Sequence, residues 1–193
     1  MDGNFVPNLT LSPWFIEQTK QITNTPISTH LMVNNPSFWV DQLIKVHSEY
    51  ICFPAERVNG IAFRIINKIH NAGLKAGVVL NPETLISSIK PYLSLLDKVT
   101  ILTVDPGFAG EIFIESALNK IKNLNQIKKE NNYHYLTEID GSVNKKTFSK
   151  VYKAHPDIYI IGNSGLFSLN DNIEISWEKM RNNFLDETKQ VVI

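Results

Sequence analysis

The chain has 193 residues, 43% of them hydrophobic, and its 19 Lys and Arg balance 19 Asp and Glu. That length and apolar content suit one domain over 1–193 with one sizeable core. The neutral balance argues against a nucleic-acid partner. No apolar run approaches the ~20 residues that cross a bilayer, so no membrane partner is expected. The single Cys52 has no cysteine in the chain to pair with, which points to a reducing, cytoplasmic setting. The opening residues MDGNFVPN have neither a basic nor an apolar stretch, so they do not read as a signal peptide.

Short β-branched runs alternate with amphipathic stretches. A helix is predicted over Pro13–Thr23, a strand over Ile27–Val33, a helix over Ser37–Val46 and a strand over Tyr50–Phe53. A helix follows over Arg57–Ala72, with Ile61, Ile65, Ile66 and Ile69 on one face, then a strand over Lys75–Leu80. Pro82–Leu95 reads as a helix with Ser87 and Ser88 on its polar side, and Val99–Val104 as a strand. Ser116–Glu130 repeats Leu118, Ile121, Leu124 and Ile127 at helical spacing. A strand over Tyr135–Ile139, a helix over Asn144–Tyr152, a strand over Ile158–Ile161 and a helix over Ile173–Thr188 complete the series. Strict alternation of strand and helix means a parallel sheet with helices outside. Periodicity leaves a doubly wound sheet and part of a barrel both open, but no G-x-G-x-x-G follows the first strand, against a dinucleotide site.

Polar and glycine residues gather where the predicted strands end, the side on which parallel α/β proteins build ligand sites. His30 lies in the first strand, and Asn81-Pro82-Glu83-Thr84 ends the third. Asp105-Pro106-Gly107-Phe108-Ala109-Gly110 follows the fourth, Asp140-Gly141-Ser142 the fifth and Gly162-Asn163-Ser164-Gly165 the sixth. The last segment offers backbone N–H groups to a phosphate at a strand-to-helix turn, and Gly141-Ser142 could add donors. Either alone reads equally as a tight turn; as neighbours they favour phosphate. The loop Asp105–Glu111, with glycines beside Phe108, suits a mobile lid or an ordinary surface loop. His30 and Asp140 are the candidates for metal or proton chemistry, although a lone strand histidine is more often structural and an aspartate before glycine more often a turn former. His47, His70, His134 and His155 read as solvated or structural, as do Trp14, Trp39 and Trp177 as packing residues. Asp97, Asp157 and Glu178 read as surface charges, Lys128 and Lys129 as a solvated helix face.

The order of motifs is recognisable. MDGNFVPNLTLSP, HLMV (His30–Val33), NPET (Asn81–Thr84), VDPGFAG (Val104–Gly110), IDGS (Ile139–Ser142) and GNSGLF (Gly162–Phe167) resemble the ribulose-phosphate 3-epimerase family over essentially the whole chain. Within it, VDPGFAG, IDGS and the Gly-x-Ser-Gly-Leu-Phe run resemble the D-allulose-6-phosphate branch, since the pentose branch typically has a second glycine after Asp-Gly. The resemblance implies an α/β fold, a (β/α)8 TIM barrel. It also implies one divalent metal (Zn, Mn, Co or Fe), held by two histidines and two aspartates that double as acid and base. His30 then corresponds to a metal ligand, and Asp140 to a ligand and catalytic group. Gly107, Phe108, Ala109, Gly110, Asp140, Gly141, Ser142, Gly162, Asn163 and Ser164, with His30, correspond to the substrate segments.

The family's second strand reads His-x-Asp-x-Met-Asp-Gly, and this chain starts at that Met. The expectation is therefore a barrel lacking the first βα unit and most of the second strand, with one histidine and the partner aspartate upstream of Met1. Asp2 is an unsuited replacement, because on a strand its side chain points to the other face. Pro54 stands where the family has a histidine, Leu102 for a methionine, Glu111 for a glutamine and Asn163 for a threonine or serine. The implied function is C3 epimerisation of a ketose phosphate, D-allulose 6-phosphate to D-fructose 6-phosphate, with D-ribulose 5-phosphate or a turnover-free phosphosugar-binding role as alternatives. An incomplete barrel also exposes strand edges, so a homo-oligomer is expected.

Overall fold

The computed structural model describes residues 1–189. The chain falls into two compact units: Met1–Leu80 with Thr84–Val99, and Asn81–Glu83 with the chain from Thr100 onward.

The first unit runs α1 (Pro13–Lys20), β1 (Ser28–His30), α2 (Pro36–Lys45), β2 (Tyr50–Pro54), α3 (Ala62–Asn71) and β3 (Lys75–Leu80). Strands β1, β2 and β3 pair in parallel and in sequence order, Ser28 opposite Tyr50 and Tyr50 opposite Lys75. Beyond its first residue, each of β2 and β3 is buried end to end, as expected of a parallel strand covered on both faces. Ile51 and Phe53 of β2 and Val78 and Leu80 of β3 are fully buried, together with Val40, Leu43, Ile66 and Ile69 from the helices. Each such side chain contributes ~1.5–3 kcal/mol relative to remaining exposed. Helix α2 begins where Asn35 Oδ1 accepts the Phe38 N–H at 3.4 Å and Pro36 occupies the first turn.

The second unit holds the main part of β4 (Lys98–Leu102), then α4 (Leu118–Asn131), β5 (Leu136–Asp140), α5 (Phe148–Tyr152), β6 (Ile158–Ile160) and α6 (Ile173–Lys189). Within it β5 and β6 pair in parallel, Glu138 opposite Ile158 and Asp140 opposite Ile160. Helix α4 stops at Asn132, whose φ of 53° is the left-handed conformation that asparagine tolerates. Tyr135 is buried, and its hydroxyl donates to the Leu124 carbonyl at 2.7 Å. Burial, then the nearby Tyr133 and Asp157, push that phenol up to about 12. Phe184 of α6 lies edge-on to Phe148, Tyr152 and Tyr159, with ring centres 5.2, 6.0 and 5.5 Å away.

Every predicted strand is present within a few residues, and the alternation of strand and helix holds throughout. Three helices differ. The stretch Arg57–Ala72 is a 3-10 turn at Ala55–Arg57 followed by α3, because Gly60 takes a φ of +76° between them. Pro82–Leu95 is two 3-10 helices, Ile86–Ser88 and Lys90–Leu95, since Pro91 has no N–H to give to an α-helix. The helix predicted from Asn144 starts only at Phe148, and Asn144 stands in the preceding turn. Trp14 and Trp177 are 65% and 51% exposed, so neither is the packing residue the sequence suggests.

Asp97 and Asp157 are also more than surface charges. Asp97 Oδ2 accepts the Ala76 N–H at 2.8 Å and faces His70 Nε2 at 2.9 Å. Asp157 Oδ2 accepts the Thr137 N–H at 2.7 Å and pairs with Lys128 at 2.7 Å, so Lys128 is not simply solvated. Glu49 repeats the pattern, taking the Ile27 N–H at 2.7 Å and Lys20 at 2.6 Å.

Candidate active site

The second unit gathers the loops after β4, β5 and β6. Thr103 is fully buried directly after β4. Its N–H donates to the Asp140 carbonyl at 2.8 Å, and its hydroxyl donates to the carbonyls of Gly141, at 2.6 Å, and Asp140, at 3.1 Å. Its own carbonyl accepts the Ile114 N–H at 2.7 Å, which closes the loop that carries Gly107–Gly110. Gly141 has a φ of +120°, and a Cβ there would stand 2.8 Å from Val104 Cγ2. Only glycine therefore lets the chain turn at this point behind Asp140.

Side-chain bonds connect these loops. Ser142 adopts a φ of +49°, and its hydroxyl donates to the Glu111 carbonyl at 2.6 Å. The Asn144 amide donates to the Ser142 carbonyl and to Ser164 Oγ, both at 3.1 Å. Thr147 Oγ1 donates to the Ser142 carbonyl at 2.8 Å. The segment Asn163–Phe167 forms a π-helical turn, in which Leu166 and Phe167 donate to Gly162 and Ser168 donates to Asn163. The N–H groups of Asn163, Ser164 and Gly165 thus lie at the open N-terminal end of the turn. Gly165 is held tightly: a Cβ there would come within 2.3 Å of the Val143 carbonyl oxygen.

Of the residues singled out in the sequence, the structure gathers those after β4, β5 and β6 into this one unit. Phe108 stands 51% exposed between Gly107 (φ +127°) and Gly110 (φ +89°). Asp140 closes β5 and is half-buried. His30 belongs to the first unit, where it ends β1 opposite Cys52 and lines a cavity of about 310 Å³. That cavity is walled mainly by apolar side chains such as Phe15, Ile16, Leu31 and Trp39, with Thr10, Ser12, Ser28 and Thr29 among its polar lining. Asp2 accepts the N–H groups of Asn4, Phe5 and Asn34, and so holds the turn it opens. Thr103, Asn144 and Thr147 were not foreseen: one reads as an ordinary strand residue and the others as helix residues. The N-x-x-T spacing after Asp-Gly-Ser was the available signal, since Asn and Thr side chains bond to nearby backbone.

Among the described residues no group of three or more His, Cys, Asp and Glu side chains is placed to hold a metal ion. His30 and Asp140, the two ligands the resemblance implies, are fewer than the three or four protein groups a tight site usually needs. The described residues therefore do not by themselves make a complete metal site.

The sequence model of the ribulose-phosphate 3-epimerase family matches residues 1–167. The chloroplastic ribulose-5-phosphate-3-epimerase of Arabidopsis thaliana is 37% identical over 175 residues, covering 90% of this chain and 62% of that protein. The ribulose-phosphate 3-epimerase of Bacillus subtilis is 37% identical over 165 residues, 85% of this chain and 76% of its own length. That of Aquifex aeolicus is 33% identical over 181 residues, 94% and 80% of the two chains. The chain thus spans less than two thirds of the Arabidopsis protein and about three quarters or more of the two bacterial ones. Among solved structures, 3-hexulose-6-phosphate synthase from Salmonella typhimurium aligns with a TM-score of 0.55 at 11% identity, covering 91% of this chain and 79% of that one. A tryptophan synthase complex from Pyrococcus furiosus aligns at 0.52 and 14%, covering 93% and 69%. At such identities these two speak for the fold alone: an α/β chain of parallel strands in sequence order, in keeping with a TIM barrel. With the family model spanning most of its length and close relatives in sequence, the chain belongs to the ribulose-phosphate 3-epimerase family.

Proposed function

We propose that this chain is a sugar-phosphate 3-epimerase, working in the cytoplasm as one epimerase domain over 1–193. One observation carries the reading: the loops after β4, β5 and β6 are tied together around Asp140 and the Gly162–Ser164 turn. Inverting the carbon beside a ketone needs a base on one face to take the proton and an acid on the other to return one. Asp140 is the proposed base. Thr103 and Gly141 fix the peptide behind it, and the N–H groups of Gly162–Ser164 and of Gly141–Ser142 hold the phosphate so that C3 faces the carboxylate. The Gly107–Gly110 loop, with Phe108, covers the sugar and excludes water.

For the substrate, Ser142 where the pentose branch has glycine supports D-allulose 6-phosphate and D-fructose 6-phosphate. The ribulose-phosphate names of the relatives support D-ribulose 5-phosphate as the second reading. Phosphosugar binding without turnover has on its side that His30 and Asp140 are only two metal-ligating groups.

The test is solvent deuterium exchange at C3 for each substrate, with the intact chain and Asp140→Asn. Exchange that favours the hexulose phosphates and disappears in Asp140→Asn is the expected result. Equal exchange in both proteins would remove Asp140 as the base. Binding of the sugar phosphates with no exchange above buffer would establish the turnover-free reading instead.

A further inference from the structure

We propose that Asn144 is a positioning residue, which sets the Ser164 hydroxyl as a hydrogen-bond donor to the substrate phosphate. The inference rests on the phosphate reading of the Gly162–Ser164 turn and adds how that turn is prepared. The Asn144 amide is held in one orientation. Its Oδ1 accepts the Lys146 N–H at 3.0 Å, which fixes the oxygen on that side. The NH2 group therefore faces the other way, and it donates to the Ser142 carbonyl and to Ser164 Oγ, each at 3.1 Å.

A hydroxyl has one proton to give and two lone pairs to receive. With Asn144 donating to it, Ser164 Oγ acts as acceptor in that contact, and its own proton points elsewhere. Ser164 is exposed, so that proton is available to an incoming ligand. The dianion of a phosphate monoester, whose three terminal oxygens are all acceptors, is the ligand chemistry this arrangement fits. The same amide holds the carbonyl of Ser142, so one side chain sets the spacing between the loop after β5 and the turn after β6. Turn propensity accounts for an asparagine that caps its own loop; it does not account for one whose two amide protons go to two different loops.

The experiment measures inorganic phosphate binding by calorimetry for the intact chain, Asn144→Ala, Ser164→Ala and the double variant. Roughly 10-fold weaker binding is expected for each single variant, the scale of one hydrogen bond to a charged group. The double variant should be little weaker than Asn144→Ala alone, because that substitution already removes what Ser164 gains from Asn144, along with the bond to the Ser142 carbonyl. A general structural role predicts additive losses instead, and additivity overturns the proposal. Asn144→Asp keeps the shape and the bond from Lys146. Its carboxylate accepts the Ser164 proton, so phosphate binding should fall relative to the intact chain at the same pH and recover as the new carboxyl protonates. Phosphate binding that is unchanged in Asn144→Ala or Asn144→Asp overturns the inference while leaving the phosphate turn standing. No phosphate binding by the intact chain overturns both.

Discussion

Gly165 shows what a single missing side chain achieves here. In the sequence it is the last residue of Gly-Asn-Ser-Gly and reads as one more turn glycine. In the structure its Cα faces the Val143 carbonyl, and an added Cβ would stand 2.3 Å from that oxygen and 2.6 Å from Ile161 Cγ2. Backbone at Val143 cannot retreat without moving Ser142 and Asn144, which carry the bonds between the loops. Gly165→Ala should therefore cost about 1–3 kcal/mol, the usual range for overpacking, and weaken phosphate binding at the same time. Urea unfolding should show a lower midpoint with an unchanged slope; a midpoint equal to that of the parent would mean the loops tolerate a wider spacing. The motif was legible in the sequence and its neighbour was not, because the packing partner is a backbone oxygen more than a dozen residues away that no local pattern reveals.

Among the elements, one device occurs three times. A basic side chain in the last turn of a helix meets an acid that precedes the next strand but one, and the acid also takes a backbone N–H at the start of the intervening strand. Lys20, Glu49 and Ile27 do this at β1, His70, Asp97 and Ala76 at β3, and Lys128, Asp157 and Thr137 at β5. Each bond satisfies a strand-end donor that the parallel ladder leaves open. Burial alone would raise the Asp157 carboxyl, but Lys128 and the Thr137 N–H and hydroxyl outweigh it and hold the group below the usual range. Glu49 is held low against burial by Lys20 and the Ile27 N–H in the same way. For a carboxyl depressed in the folded state, the unfolded chain binds protons first as pH falls. The stabilisation is therefore present above the ordinary carboxyl value and is lost as pH drops through the depressed one. Asp157→Asn should lower stability at neutral pH and flatten its dependence on pH in the acid range. Parallel stability–pH curves for the two proteins below pH ~4 would show that Asp157 contributes nothing to acid unfolding. The sequence showed these acids as lone charges, since each partner is about 20 or more residues away and the pattern exists only once strands pair.

For the molecule as a whole, strand–helix alternation carried the fold class, because a helix between two strands leaves the parallel arrangement as the economical one. What alternation could not carry was the state of the surface. Strands β1 and β6 have only three residues each and are partly exposed, unlike the fully buried β4. Leu9, Leu11, Trp14 and Ile22 of the first unit are 65–86% exposed, and in the second unit Ile173, Trp177 and Leu185 are about half exposed. Their place on amphipathic helices makes Trp14 and Trp177 read as packing residues, yet both face out. Large apolar side chains left in water at this density favour association, and a homo-oligomer remains the expected state. Sedimentation of the intact chain should give a mean mass that rises with concentration. Replacing Trp14 or Trp177 by lysine removes apolar area and adds charge without touching the core, so at least one of the two should return the mass toward that of a single chain. A single-chain mass for the parent at every soluble concentration would rule out self-association, and these side chains would then be ordinary exposed apolar surface.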